Sequence, residues 1–519
     1  MKDVPEFAHE PARQTKEIEL KLEFDPADAA RIVSHPALKA SLTPPEERDL
    51  VSVYFDTADF ALRKAGVYLR VRDTGTHYVQ TIKSLKSEAA PMERDEWERD
   101  ITSPRPELGA AEGTALAPLL TPQVRASLRP LFETLIRRKT YLVRSGDSKI
   151  EVAIDEGEIV SGQRRRPILE LELELKQGET KELFRLARAL AETLPLRLAV
   201  KTKAERGYEL LEPGTHEVEK AAELDIKPTM TSGEAFRAIA ESCLRQVVVN
   251  EPAMCRGHAE ALHQMRIGLR RLRAAITIFD DVVADEDQEK IKAELKWITQ
   301  ELGPARDLDV FAADVLKPLQ KAHPNDETVA ATRRDLEKKR EAAYVRAAGS
   351  ARSNRFRNTV LDLVEWIETG PWSTDDDEDS MARRLRPIAE HVRKKLARLR
   401  KRVKKGADLR HQSVRQRHKL RIRAKRLRYA TEFFAGTFEG DTSAKRRAEA
   451  LSALKDLQDA LGGLNDIATR HTLIAHGGEM RQPTAHSGVA ESGNQAETLL
   501  HKAEEALARF AQAKAFWKG

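Results

Sequence analysis

Two rhythms of apolar and polar residues divide the chain. Up to about residue 211 the dominant period is two, the signature of strands with one apolar and one polar face. "EIELKLEF", "LVSVYFDT", "VYLRVRD", "HYVQTIKS", "RDEWERDI", "KTYLVRS", "KIEVAIDEGEI" and "ILELELELK" all read this way. Helical interruptions are expected near 26–34, 123–128 and 179–193. From Ser232 onward the period becomes helical and the segments lengthen. The change falls in a polar stretch punctuated by Pro213, Gly214 and Pro228. These patterns predict an α+β chain: a strand-rich domain over 15–211, a linker over 212–231 and an all-helical domain over 232–515. Within the helical part, 476–495 reads as a polar loop before a last helix.

The polar faces of the strands are unusual in their order. Glu17, Glu19, Lys21 and Glu23 alternate with Ile18, Leu20, Leu22 and Phe24. Glu170, Glu172, Glu174 and Lys176 alternate with Leu169, Leu171, Leu173 and Leu175, and Arg70 and Arg72 with Leu69 and Val71. Arg94, Glu96 and Glu98 share one face of their strand. One such strand is commonly a sheet face turned to water. Doublets of one sign on separate strands favour another arrangement, a closed antiparallel barrel whose charged faces point inward. Confined like charges repel unless something neutralises them. Divalent cations neutralise carboxylates, and a run of phosphates neutralises Arg and Lys, whose planar or point-charge donors suit phosphate oxygens.

Composition narrows the setting. The 519 residues are 40% apolar and 33% charged, and no apolar run approaches the ~18–20 residues of a membrane span. "MKDVPEFAHEPARQ" has no apolar core of a secretory signal. Cys243 and Cys255 are too few for a disulfide framework or a four-ligand zinc site, which suits a reducing cytoplasm. The net charge of +6 hides a basic stretch over 383–428 just after the acidic run 375–379. Such a stretch is either a solvated helix face or a surface for a polyanion.

"EIELK", "YFDT", "LRVR", "TIK", "RDEWE", "AIDEGEI", "LELELK" and "VKTKAERGY" occur in an order that resembles the CYTH, or triphosphate tunnel metalloenzyme, superfamily, over residues of about 15–211. The resemblance implies an eight-stranded antiparallel tunnel that hydrolyses triphosphates with Mg²⁺ or Mn²⁺. It assigns metal binding to Glu17, Glu19, Glu170, Glu172 and Glu174, and metal or water positioning to Asp155 and Glu98. Phosphate binding falls to Lys21, Arg70, Arg72, Lys83 and Arg138, with Arg137 an alternative register, and Lys201 or Lys203 closes the set. Glu17, Glu19, Lys21 and Asp155 form the catalytic group. Plainer readings compete for two of the assigned residues, Glu174 as a strand continuation and Asp155 as a turn former before Gly157, and Glu23, beyond the motif, reads as a rim or solvent-facing residue.

The helical half contains a repeat. "HQMRIGLRRLRAAI" begins at His263 and "HKLRIRAKRLRYAT" at His418, 155 residues later, followed by "LGPARDLDV" and "LGGLNDIAT" in matching order. With His263 at 0°, helical periodicity puts Arg270 near about −20°, Arg266 near about −60° and Arg273 near about −80°, opposite Met265, Leu269, Leu272 and Ile276. His418, Arg421, Lys425 and Arg428 repeat that stripe against Leu420, Leu427 and Phe434. His with cations at this spacing cannot hold a metal; a polyanion is the better partner. Both copies resemble the CHAD, or conserved-histidine α-helical, domain, over about 233–515. That resemblance implies a pseudo-symmetric helical domain binding inorganic polyphosphate through His263, Arg266, Arg270, Arg273, His418, Arg421, Lys425 and Arg428. Arg393, Lys394, Arg400 and Lys404 are candidate extensions of the surface. Asp307, Asp309 and Asp466 are expected to pair with the basic helices or cap helices.

The leading reading is therefore a metal-dependent inorganic triphosphatase with a polyphosphate-binding helical domain, cytoplasmic and able to associate with polyphosphate granules. Thiamine triphosphate or nucleoside triphosphates fit the same charges, and a non-catalytic polyphosphate binder is the alternative class. Aromatic residues are only 5% of the chain and do not interleave with the basic stripe, which argues against nucleic acid. A homodimer stays open.

Overall fold

The structure is a computed structural model describing residues 13–84, 93–212, 214, 218–406, 408–476 and 487–518; the side chains at 13–17, 93–94, 466, 468–476 and 487–494 lie outside the description. Of the loop expected over 476–495, residues 477–486 lie outside the described residues, whereas 487–495 are already the first turns of the last helix, Ser487–Gln512, which therefore begins earlier than the polar composition suggests. Contacts divide the chain into two compact units. The described residues of Met1–Ala222, Glu241–Leu269 and Glu286–Pro371 form one, and those of Glu223–Ala240, Arg270–Asp285 and Trp372–Gly519 the other. No helix among the described residues is long and apolar enough to cross a membrane.

The strands are β1 (Arg13–Glu23), β2 (Glu46–Asp56), β3 (Val67–Asp73), β4 (Tyr78–Ser84), β5 (Glu93–Ile101), β6 (Arg129–Ser145), β7 (Ser148–Ser161), β8 (Arg164–Gln177) and the short β9 (Arg197–Leu198). They pair antiparallel in the order β5-β4-β3-β2-β6-β7-β8-β1-β9, and β5 also pairs with β1. That last pairing closes eight strands into a barrel. Strand β1 straddles the seam: Arg13–Ile18 meet β5, while Glu19–Glu23 meet β8.

Closure explains the alternation that looked inverted. Leu20, Leu22, Leu171 and Leu173 are buried on the outer face, with the Lys181–Ala191 helix burying Leu183, Phe184, Ala187 and Leu190 nearby. Their charged neighbours can then point only inward, since successive side chains take opposite faces. The helical interruptions expected from sequence correspond to the short helices Pro26–Asp28, Ala29–Val33 and Pro122–Ser127 and to Lys181–Ala191. Gly157 sits where β7 crosses β6: a Cβ there would lie 2.0 Å from the Leu135 carbonyl oxygen. Asp155 is mid-strand in β7, so it is no turn former.

The Lys203–Leu211 helix covers one end of the barrel. Thr202 caps it through a reciprocal box with Glu205. Tyr208 and Ala204 from this helix pack with Tyr54, Tyr68, Phe132, Ile136 and Ile168. Gly207 is required by that approach, because a Cβ would lie 2.1 Å from the Phe132 ring. The "YFDT" motif anchors the same end: Asp56 is buried and accepts from the Thr57, Leu62 and Arg63 amides and from Tyr208 Oη at 2.8 Å.

Both repeat helices are 20 residues long, Ala259–Ile278 and Val414–Phe433, with the histidine at the fifth position of each. Their glycine partners differ. Gly303 and Pro304 begin a new helix, Gly303–Phe311, whereas Gly462 lies inside the unbroken Asp441–His476 helix. In the second unit, Phe236, Phe279, Trp372, His391 and Phe434 form an aromatic cluster. Burial lowers the His391 pKa to about 4, so it stays neutral within that core.

Candidate functional site

The barrel register sets lumen side chains in rungs. Glu19, Glu174 and Glu151 are adjacent across β1, β8 and β7. One rung inward, Lys21 faces Glu172, and on β8 and β7 Glu170 faces Asp155. Across the lumen, Arg70, Thr81 and Glu98 form a rung over β3, β4 and β5. Most of these charges line one cavity of about 270 Å³.

Its floor is a dense ion-pair network. Arg138 donates to Asp155 through Nε and Nη2, both at 2.7 Å, and to Glu172 at 2.5 Å. Lys203 lies 2.8 Å from Asp155, 2.6 Å from Glu170 and 2.8 Å from Glu172. Lys21 adds contacts to Glu172 at 2.6 Å and Glu19 at 2.8 Å. Arg206, from the covering helix, pairs with Glu170. Burial would push the Asp155 carboxyl up, but Lys203 and Arg138 outweigh it and hold it below the usual range. Burial likewise opposes the Glu172 charge; Lys203, Lys21 and Arg138 overcome it and hold that carboxyl well below normal. Asp155 and Glu172 are therefore ionised at neutral pH.

These carboxylates fit a hard divalent cation. Asp155, Glu170 and Glu172 are buried and bring one oxygen each to within 4.8 Å of the others. Glu170 Oε2 lies near Lys203 yet accepts no hydrogen bond. An all-carboxylate set next to Glu19 and Glu174 is the donor chemistry of Mg²⁺ or Mn²⁺.

The opposite wall is cationic. Arg70 is buried, donates to Thr81 at 2.9 Å and lies 3.6 Å from Glu96. Lys83 pairs with Glu96 at 2.6 Å. Arg72 differs from its neighbours: its hydrogen-bond partner is the Ser52 hydroxyl at 3.3 Å, and it makes no ion pair among the described residues. Burial, then the like charges of Arg70 and Arg138, push its guanidinium down to about 10.

The sequence-predicted residues divide by location. Glu19, Lys21, Arg70, Arg72, Lys83, Arg138, Glu172, Glu174 and Lys203 share the lumen cavity, and Asp155 and Glu170 lie beneath it. Arg138, not Arg137, is the inward register; Arg137 is exposed near Glu47 and Asp49. Lys201 is elsewhere, paired with Glu209. Glu23 is half-buried and lies 3.4 Å from Arg206, so it is not a solvent-facing rim residue. Glu98 stands more open, with its side chain 45% exposed. The Glu17 side chain lies outside the described residues.

Sequence reasoning missed Glu151, Glu96 and Arg206 as site residues. Glu151 shares the parity of Asp155 on its strand, a signal that was available. Arg206 lies within "VKTKAERGY", but periodicity gives no sign that it reaches the site, since it does so from a helix.

In the helical region each repeat pins its first arginine. Arg266 donates to the Thr299 carbonyl at 2.8 Å and would lie 3.6 Å from a Cβ at Gly303; Arg421 would lie 3.5 Å from one at Gly462. His263 and Arg266 belong to the first unit; Arg270, Arg273, His418, Arg421, Lys425 and Arg428 belong to the second. His418 and Arg273 are exposed, and the Arg270, Arg421 and Arg428 Nε atoms are buried without a hydrogen-bond partner. Asp309 does not pair with the basic helix of its copy: it accepts from Arg340 at 2.7 Å and Tyr344 Oη at 2.6 Å. The Asp466 side chain lies outside the described residues. Arg393 donates to the Trp517 carbonyl and Arg400 to the Ala511 carbonyl, while Lys394 and Lys404 are exposed.

Residues 15–208 match the CYTH domain model and residues 238–475 the CHAD domain model. An inorganic triphosphatase of Haemophilus influenzae is 32% identical over 197 residues, covering 37% of this chain and 54% of that protein. The match thus spans about half the length of that relative. An uncharacterized protein of Mycobacterium tuberculosis is 24% identical over 490 residues, 87% of this chain and 88% of that one. The CHAD domain of the plant Ricinus communis, a crystal structure, is 27% identical, covers 58% of this chain and 98% of its own, and superposes with a TM-score of 0.45.

Proposed function

For a chain that carries a CYTH domain followed by a CHAD domain, we propose that the barrel hydrolyses inorganic triphosphate to diphosphate and phosphate with Mg²⁺ or Mn²⁺. The helical domain would bind polyphosphate. The observation that carries the first part is Arg72, a guanidinium held in the lumen against burial and two like charges, with a hydroxyl as its hydrogen-bond partner and no ion pair among the described residues. Such a group is stabilised by an incoming polyanion. The identity to an inorganic triphosphatase over the barrel supports the same reading.

In this reading Arg70, Arg72 and Lys83 take phosphate oxygens from one wall, and Lys21, Arg138 and Lys203 from the other. A divalent cation held by Glu19, Glu172 and their carboxylate neighbours, with Glu17, Glu170 and Glu174 as further donors, would polarise the phosphate under attack. The arginines and lysines stabilise charge that builds on the transferring phosphoryl group and on the departing diphosphate. All but Arg72, whose hydrogen-bond partner is the Ser52 hydroxyl, stand in place before reaction because the ion-pair network already fixes them. Asp155 is fully buried and doubly paired, so it orients Arg138 and Lys203. Glu98, partly exposed and accepting from Thr81 at 2.9 Å, is better placed to orient the attacking water.

For the helical domain, support comes from the duplicated His/Arg stripe and the repeated packing of Arg266 and Arg421 against a glycine. Binding to regularly spaced phosphates should weaken steeply with salt. The test of the whole reading is phosphate release from tripolyphosphate, longer polyphosphate, thiamine triphosphate and ATP, each with Mg²⁺, Mn²⁺ or chelator. Tripolyphosphate should be cleaved fastest and only with metal. Preferential cleavage of ATP or thiamine triphosphate would move the substrate, and no cleavage of any would leave only the binding role.

A further inference from the structure

A second cavity, of about 760 Å³, lies within the first compact unit behind the covered end of the barrel. Its floor is the other side of the lumen's partition. Glu23 continues the inward face of β1 past Lys21 and lines this chamber, as does Arg206, whose guanidinium pairs with Glu170 of the buried carboxylate set. The remaining wall comes from the helices Ser232–Cys255 and Asn354–Thr369 and the turn before the latter.

The chamber's carboxylates are mostly paired, as are Arg166, Arg197 and Arg206, but three of its arginines are not. Asp25 pairs with Arg197, Glu209 with Lys201 and Arg166, and Glu212 with Arg63. Glu251 accepts from the Cys255 thiol at 2.9 Å, and burial raises its pKa. Arg256, Arg352 and Arg357 have no carboxylate partner among the described residues; Arg357 donates only to the Arg352 carbonyl and Asn354 Oδ1. Burial and the nearby Arg197 act against the Arg357 charge and outweigh Glu251 and Asp25, which favour it. Three guanidiniums facing one roomy cavity, each with unused donors, form a receptor for a compact oxyanion, and their planar forks suit phosphate oxygens.

We infer that this chamber is a second anion site, which binds inorganic phosphate or diphosphate separately from the lumen, across the partition made by Arg206 and Glu170. Which phosphate species occupies it in use rests on the triphosphatase reading; its capacity to bind phosphate does not.

Calorimetric titration of the full-length chain with orthophosphate, and separately with diphosphate, in chelator tests this. Two classes of site are expected. The exposed pair Arg256→Ala with Arg352→Ala, and independently Arg357→Ala, should each weaken one class about tenfold, as loss of charge-assisted hydrogen bonds implies. Arg72→Ala should weaken only the other class. Arg352→Lys should recover part of the loss, which a folding defect would not. If both anions bind the chamber variants as tightly as wild type, the inference is wrong. If Arg72→Ala has no effect while the chamber variants do, the chamber stands and the lumen reading fails.

Discussion

Replacing Arg72 with Met should make the free protein more stable while weakening its grip on substrate. A guanidinium pushed down to about 10 from its ordinary value carries roughly 3 kcal/mol against its charged form. Because the folded value lies below the unfolded one, this opposition is full below about pH 10 and relieved only as pH rises further. It is therefore constant across the neutral range. Methionine keeps much of the length and apolar contact but gives up the hydrogen bond to Ser52, worth about 1 kcal/mol. The balance is a gain of roughly 1–2 kcal/mol in the free fold. Urea unfolding at pH 7, followed by amide exchange in β2 and β3, would read that gain from the barrel itself. The same variant should bind tripolyphosphate about tenfold to a hundredfold more weakly, from the loss of one charge-assisted contact. Opposite signs for stability and binding are the signature of a residue strained for function. A destabilised Arg72→Met, or one with undiminished affinity, would refute the reasoning.

Other perturbations follow from the same network. Arg138→Met strands Asp155 and Glu172 with lysines alone, and should cost about 2–4 kcal/mol by denaturant unfolding. Those two carboxyls are held low, so their contribution is present above the unfolded value near about 4 and is lost as pH falls through the folded values. The stability gap should accordingly be flat from about pH 5 to 8 and close in more acidic solution. Gly207→Ala drives a methyl into the Phe132 ring and should lower stability by about 1–3 kcal/mol, with a parallel loss of turnover as Lys203 shifts. Glu151→Gln should raise the metal concentration needed for half-maximal activity about tenfold, by removing one charge from the acidic rung. Arg270→Ala with Lys425→Ala should abolish retention on a polyphosphate column at moderate salt while leaving tripolyphosphate turnover within about twofold, on the premise that distant sites act independently.

Much of the barrel was legible because period-two alternation leaves few choices. Glu19, Lys21, Glu172 and Glu174 share a parity with their neighbours, and closure of the sheet by β5 on β1 forces that parity inward. Arg138 could not be told from Arg137 on sequence alone, because a one-residue slip exchanges faces; pairing with Asp155 decides it. Lys201 and Lys203 are two residues apart, and periodicity gave no reason to separate them. The helix cap at Thr202 does: Lys203 begins a helix and reaches the carboxylates, while Lys201 precedes the cap and meets Glu209. Arg206 and the arginines of the chamber were illegible for a related reason. They come from helices whose approach to the barrel depends on packing, such as that of Gly207 on Phe132, and no local pattern encodes it. In the repeats, the matched histidines and glycines were visible, but Asp309 turned to Arg340 and Tyr344 on the next long helix, a partner fixed only by tertiary contact.

The claim on which the rest depends is that the lumen is a metal-assisted site for triphosphate. Its most direct measurement is phosphate release from tripolyphosphate by the full-length chain with Mg²⁺, with Mn²⁺ and with chelator, run beside Arg70→Ala and Glu19→Gln. The account predicts turnover by the wild type with at least one of the metals, none in chelator, and a loss of about a hundredfold or more in both variants, in line with removal of a preorganised electrostatic contact. Turnover that persists in chelator, or that survives both substitutions, would contradict it.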